Sequence, residues 1–491
     1  MKAGDLVMVN IEGKRLDAAT ADFLRQHHIR AVCLFRWNLG DEAEVRQLTA
    51  DLARVMGPHA LIGLDQEGGS VVRATCLPQP PAAMALGAAG DAMLAESVGA
   101  AVARGLRGLG INWNFAPVLD VNNNPANPVI AERSFGAEPL EVARLARAWM
   151  QGALREGVAC CVKHFPGHGD THVDSHHDLP VVDKTLAELQ SLELLPFREL
   201  RREAPAVMTA HIVYPRLDAQ HPATLSPHLL GQLLRDDWGY DGVVITDSLV
   251  MKAIHDRYGH ERAAVLALQA GADMVMALGA REDQLAALQS IEQAIDGGAL
   301  TPAQLRRSCD RLDALAARYP SRPGFYVKEQ RDEDDALMRR AWAQGLSIVG
   351  DAQRPAPGRA LRVFTQAAVP SDGVSEAGLD AQSVRALFAA FGDLDFVALD
   401  RLGELDWTQV PRDGRFNVIV SNHRQRYAGP ARDWRPDLHL ALWNPFVVLD
   451  VAAPAVVSWG YADGALAAVR AWLEGRGAAP GRAPVPLAPR A

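Results

Sequence analysis

The densest chemistry in the sequence lies in KHFPGHGDTHVDSHHDLP, Lys163 to Pro180, which carries five histidines and three aspartates in eighteen residues. His164, His168, His172 and His176 recur every four residues, a spacing that would align metal ligands on one face of a helix. Pro166, Gly167 and Gly169 oppose a helix here, so the stretch reads as a loop and no metal is assigned to it. Asp174 and His176 stand two apart and can point the same way in an extended segment. A carboxylate on one imidazole nitrogen fixes the tautomer and leaves the other nitrogen to exchange a proton near neutral pH. Farther along, Asp247 in GVVITDSLVM has no basic neighbour in sequence, and a carboxylate of that kind can act as a nucleophile.

These groups need elements that bring them together. Short apolar runs recur at Leu6–Ile11, Ala31–Phe35, Leu61–Leu64, Ile111–Phe115, Val158–Val162, Ala206–Ala210, Val243–Thr246 and Met274–Ala277. Segments with helical apolar spacing alternate with them, among them Glu42–Val55, Met93–Gly108, Leu140–Glu156, Thr185–Arg202 and Arg262–Ala270. Eight such units predict a closed parallel (β/α)₈ barrel of the TIM type over residues 1–325. Active sites of such barrels lie at the C-terminal strand ends, where this chain places Asp65, Gln66 and Glu67, Asn114 and Asp120, Lys163 and His164, His211, and Asp247 with Ser248.

A second α/β pattern predicts a smaller open-sheet αβα sandwich over residues 326–475. Its strand candidates are Ser347–Val349, Leu361–Phe364, Phe396–Leu399, Val418–Val420, Leu438–Leu442 and Ala455–Val457. Residues 476–491, rich in Ala, Pro, Gly and Arg, read as a disordered tail.

The net charge of −9 and the lack of a dense Lys/Arg run argue against nucleic acid as a partner. No apolar stretch approaches the roughly 20 residues that span a bilayer, and MKAGDLVMVNIEG lacks the pattern of a signal peptide. A cytoplasmic, membrane-free protein is expected. Five cysteines without a CxxC pair read as free thiols of a reducing compartment. Nothing in the sequence specifies an oligomeric state.

LDQEGGSVVR (Leu64–Arg73), ERSFG (Glu132–Gly136), the histidine-rich loop and ITDSLVM (Ile245–Met251), in this order, resemble the signature segments of glycoside hydrolase family 3, in its β-N-acetylglucosaminidase subgroup. SWGYADGALAAVRAWLEG (Ser458–Gly475) is similar to the end of that family's second domain. The resemblance implies a retaining hydrolase without cofactor or metal, acting on small or oligosaccharide substrates with a terminal β-linked N-acetylglucosamine. Asp247 would be the nucleophile, His176 the acid/base and Asp174 its orienting partner. Asp65, Arg73, Arg133, Lys163 and His164 would hydrogen-bond the sugar. Bacterial relatives commonly serve peptidoglycan recycling on muropeptides.

Alternatives stay open at this point. Asp65 and Arg73 could form a structural ion pair, and His164 could be a satisfied packing residue. A neutral histidine acid/base would also tolerate phosphate as the attacking group, so a phosphorylase is a second reading and a broader β-glycosidase a third. A sugar-binding protein without turnover is a fourth, and metal-dependent hydrolysis, which exhaustive chelation would test, a fifth. The chain departs from the subgroup in the extra His177 of its loop. No evident catalytic group stands in the second domain, to which a shielding or oligomerising role is assigned.

Overall fold

The computed structural model describes residues 2–174, 178–427 and 429–487. Eight strands close a barrel: β1 (Val7–Asn10), β2 (Ala31–Cys33), β3 (Leu61–Leu64), β4 (Trp113–Asn114), β5 (Ala159–Phe165), β6 (Ala206–Thr209), β7 (Val243–Ser248) and β8 (Met274–Met276). Each pairs in parallel with its neighbours in chain order, and β8 returns to β1. The strands read as continuous apolar runs because helices cover their outer faces and side chains such as Phe115 and Met208 fill the interior. All eight predicted runs become barrel strands.

Helix starts follow local capping chemistry. The Asp41 carboxylate accepts the Glu44 N–H ahead of helix Glu42–Met56, and Asp91 caps helix Ala92–Gly108. This second helix packs closely on helix Pro139–Arg155. A Cβ at Gly99 would lie 2.0 Å from the Trp149 carbonyl oxygen, and one at Gly152 would lie 2.0 Å from that of Glu96, so only glycine permits the approach.

The single helix predicted over Thr185–Arg202 is instead two, Leu186–Ser191 and Leu195–Leu200. Pro196 has no N–H to continue a helical ladder from the first segment, so the chain restarts there.

The second domain is a six-stranded sheet in the order β9 (Ser347–Val349), β14 (Ala455–Val457), β13 (Leu438–Ala441), β12 (Phe416–Ser421), β10 (Leu361–Gln366) and β11 (Leu394–Leu399). Only β9 runs antiparallel. Its two faces bury separate clusters, one with Trp342, Phe364 and Ile419, the other with Val363, Val418 and Leu440, as alternation along a strand requires.

The tail departs from expectation. Residues 476–487 are tied down rather than disordered: Gly481 N–H donates to Leu346 O, Arg482 N–H to Ala88 O, and Pro484 O accepts from Ala137 N–H. Val485 and Leu487 are buried. Main-chain hydrogen bonds and two apolar anchors hold the segment across both domains, and a composition-based reading registers neither. Residues 488–491 lie outside the described residues.

Candidate active site

At the C-terminal mouth of the barrel one pocket is lined by Asp65, Glu67, Arg73, Arg133, Lys163, His164, His168, Asp247 and Ser248, with Cys33, Phe35, Phe115, Met208 and Met276 among its apolar walls. Six candidates from the sequence, Asp65, Arg73, Arg133, Lys163, His164 and Asp247, therefore face a common space.

Charge is arranged there as an interlocked cluster. Lys163 Nζ, itself buried, lies 2.6 Å from both Asp65 Oδ1 and Glu67 Oε1. Glu67 in turn accepts two bonds of 2.8 Å from Arg133, at Nε and Nη2. Burial alone would raise the Glu67 carboxyl, but Arg133 and Lys163 outweigh it and hold the group far below the usual carboxylate range. Burial likewise works against the Lys163 ammonium, yet Asp65 and Glu67 carry its pKa upward, so it stays charged. Glu67, noticed in the sequence only as a polar residue after a strand, is the hub of the cluster.

Arg73 is placed by a short hairpin after β3. The Gln66 side-chain oxygen accepts from the Arg73 and Ala74 N–H groups at 3.0 Å each. Its guanidinium then reaches the second domain, donating to Glu376 Oε1 and Val374 O at 2.8 Å, and stands 3.7 Å from Asp65.

His164 presses Nδ1 against Asp120 Oδ2 at 2.7 Å. Asp120 is wholly buried. Its burial would raise the carboxyl, but His164 and the His168 N–H more than compensate and lower it. The Asp120 carboxylate can only accept here, so Nδ1 carries a proton and the contact sets the orientation of the His164 ring.

Asp247, half-buried at the end of β7, accepts the Ser248 N–H at 2.7 Å. The next carbonyl, that of Ser248, accepts from His211 Nε2 at 2.9 Å, and Thr224 holds the other ring nitrogen. His211 thus steadies the strand end that carries Asp247.

The loop after β5 is pinned from outside. Asn127 Nδ2 donates to the carbonyls of His168 and Gly169 and to Thr171 Oγ1. A Cβ at Gly169 would lie 1.7 Å from the Val121 carbonyl oxygen. His164, His168 and His172 each turn a ring nitrogen to a different neighbour, Asp120, Thr171 and Asn124. Among the described residues no set of His, Cys, Asp and Glu groups could hold a metal. Burial and the neighbouring His164 push the His168 imidazole down to about 4, so it is neutral at physiological pH. Asp174 is half-buried, and its main-chain carbonyl accepts from the Asp178 N–H. His176, with Ser175 and His177, lies outside the described residues.

The second domain does more than flank the barrel. Gly373 and Val374 line the pocket, and Arg424 Nη1 braces their loop through Asp372 and Ser375. Barrel residue Glu132, in the ERSFG segment, accepts from the Trp443 indole at 2.8 Å. Sequence reasoning missed Glu376, Val374 and Arg424, because no local signal links them to residues some 300 positions earlier.

Residues 1–315 match the family model described as the glycosyl hydrolase family 3 N terminal domain. β-Hexosaminidase A of Pseudoalteromonas piscicida is 37% identical over 333 residues, which cover 61% of this chain and 55% of that protein, so the chain spans little more than half of this relative's length. A β-hexosaminidase of Bordetella avium (strain 197N) is 39% identical over 282 residues, covering 55% of this chain and 79% of that one. A solved structure of a glycoside hydrolase family 3 β-N-acetylglucosaminidase from Paenibacillus sp. str. FPU-7 superposes with a TM-score of 0.87 at 34% identity, covering 100% of this chain and 99% of that one. With a family model that spans most of the chain, and a closed barrel that the residues it matches form, this protein belongs to glycoside hydrolase family 3.

Proposed function

We propose that this protein is a retaining exo-β-N-acetylglucosaminidase that releases terminal N-acetylglucosamine through a glycosyl-enzyme on Asp247. The observation that carries the reading is the shared pocket, in which the Asp247 carboxylate stands among Asp65, Arg73, Arg133, Lys163 and His164. Paired acidic and basic groups of this kind suit sugar hydroxyls, which both donate and accept hydrogen bonds. Relatives named β-hexosaminidase and β-N-acetylglucosaminidase favour the acetamido sugar.

In the proposed reaction Asp247 attacks the anomeric carbon while His176, oriented by Asp174, gives a proton to the departing glycosidic oxygen. The neutral imidazole then takes a proton from water, whose oxygen attacks the anomeric carbon, breaks the ester and frees the sugar with its original configuration. Muropeptides in a cytoplasmic recycling route are the proposed physiological substrates. No helix among the described residues is long and apolar enough to cross a membrane.

The test is hydrolysis of an aryl β-N-acetylglucosaminide beside the aryl β-glucoside by wild type, Asp247→Ala and His176→Ala, with and without phosphate. Turnover of the acetamido sugar with the β-anomer formed first is expected, lost in Asp247→Ala by about four orders of magnitude and strongly reduced in His176→Ala. Preference for glucoside would overturn the subgroup, sugar 1-phosphate as product would replace hydrolysis by phosphorolysis, and an unaffected Asp247→Ala would overturn the mechanism.

A further inference from the structure

We infer that the Phe35–Trp37 stack at the end of β2 is the platform for the leaving group, taking a pyranose ring against the outer face of the Trp37 indole. This rests on the proposal that the pocket holds a terminal sugar, and it adds where the next ring goes and which side chain selects it.

Phe35 is a wall of the pocket that contains Asp247 and Asp65. The Trp37 ring lies parallel to it, with centroids 4.5 Å apart and 7° between the planes. Trp37 is therefore one ring farther from the pocket, and at 55% exposure it is the only exposed tryptophan among the described residues.

Exposure of this kind would be unremarkable on a mobile loop, but the segment is held firmly. The Asn38 side chain, buried at 1% exposure, accepts the Phe35 N–H at 2.9 Å and donates to Ile11 O and Gly13 O at 3.0 and 2.8 Å. Arg36 Nη1 bonds back to Leu39 O. An indole that is more than half exposed thus stacks by one face on Phe35, in a segment whose backbone is held in place.

The barrel interior below the pocket is packed, so a leaving group must emerge at the mouth, where Trp37 stands. The surroundings are polar, with Arg36, Glu12 and Lys14 all exposed. An isolated aromatic plate within a polar rim suits a ring with an apolar C–H face and a hydroxylated edge, which is the chemistry of a pyranose. A broad apolar partner would need a larger contiguous patch.

The test compares methyl β-N-acetylglucosaminide, whose leaving group cannot reach Trp37, with N,N′-diacetylchitobiose, using wild type, Trp37→Ala and Trp37→Phe. Trp37→Ala is expected to lower kcat/KM for the disaccharide about tenfold, to leave the methyl glycoside within about twofold, and to keep its melting temperature; Trp37→Phe should recover most of the loss. Equal losses on both substrates, or none on the disaccharide, would overturn the inference. Calorimetric titration with a non-hydrolysable thio-linked chitobiose and with free N-acetylglucosamine judges the platform without turnover: Trp37→Ala should weaken only the disaccharide. Should the wild type prefer glucosides, methyl β-glucoside and cellobiose replace the pair, so that the choice of sugar fails separately from the platform. A wild type that binds disaccharide no more tightly than monosaccharide would overturn the platform while leaving the hydrolase reading intact.

Discussion

Glu67→Gln keeps the shape of the buried hub and removes its charge. In the native protein the carboxylate accepts two bonds from Arg133 and one from Lys163, and the Glu67 and Arg133 side chains are each 5% exposed. A glutamine retains one acceptor oxygen and turns an NH₂ donor toward cations that are themselves donors. Three charge-assisted bonds at roughly 1.5–3 kcal/mol each set the gross loss. Relief from desolvating the carboxylate returns part of it, leaving a net destabilisation of about 3 kcal/mol, the low end for breaking a buried ion pair. For a domain of this size that is roughly a 5 °C fall in melting temperature.

The cost should depend on pH with a definite sign. The folded-state carboxyl titrates below its ordinary value, so its stabilising contribution is fully present above about pH 4.3 and is lost as pH falls toward the folded value. The gap between wild type and variant should be constant from pH 5 to about 8 and narrow below about pH 4. Circular dichroism melts across that range measure it, and steady-state kinetics should show kcat/KM down by about 100-fold as Lys163 and Arg133 move. A variant that melts within about 1 °C of wild type and keeps kcat/KM within about twofold would refute the clamp, as would a gap that persists undiminished at pH 3.

Glu376→Ala removes the second domain's carboxylate from Arg73 while Val374 O and Asp65 remain. KM should rise about tenfold with kcat changed less than about threefold, the signature of lost ground-state binding; an unchanged KM would confine the second domain to a structural role. Gly169→Ala forces a Cβ against the Val121 carbonyl, so a destabilisation of roughly 2–4 kcal/mol is expected by denaturant titration. A fall in kcat should accompany it as the loop bearing Asp174 shifts, and a neutral outcome in both assays would show that the loop has room to move.

Much of the architecture is legible because its physics is local. A parallel strand buried on both faces must be a short apolar run, and a covering helix must carry apolar residues at helical spacing, so the eight barrel strands and six sheet strands can be read one segment at a time. Strand ends then identify Asp65, Lys163, His164 and Asp247 as residues of one face, because every strand of a parallel barrel points the same way. Pro196 broke a predicted helix through a property already visible in its residue type, and the tail was misread because the bonds that hold it are main-chain contacts with distant segments.

The pairings inside the site belong to the tertiary structure. Asp120 meets His164 across 44 residues, His211 meets Ser248 across 37, and Arg73 meets Glu376 across 303. Such bonds form between groups that the barrel and the domain interface bring together, and they leave no period in the chain. A sequence can show that a carboxylate and a guanidinium stand at the mouth of the barrel; which of them is the other's partner depends on distances of a few ångströms, set by the packing of every element in between.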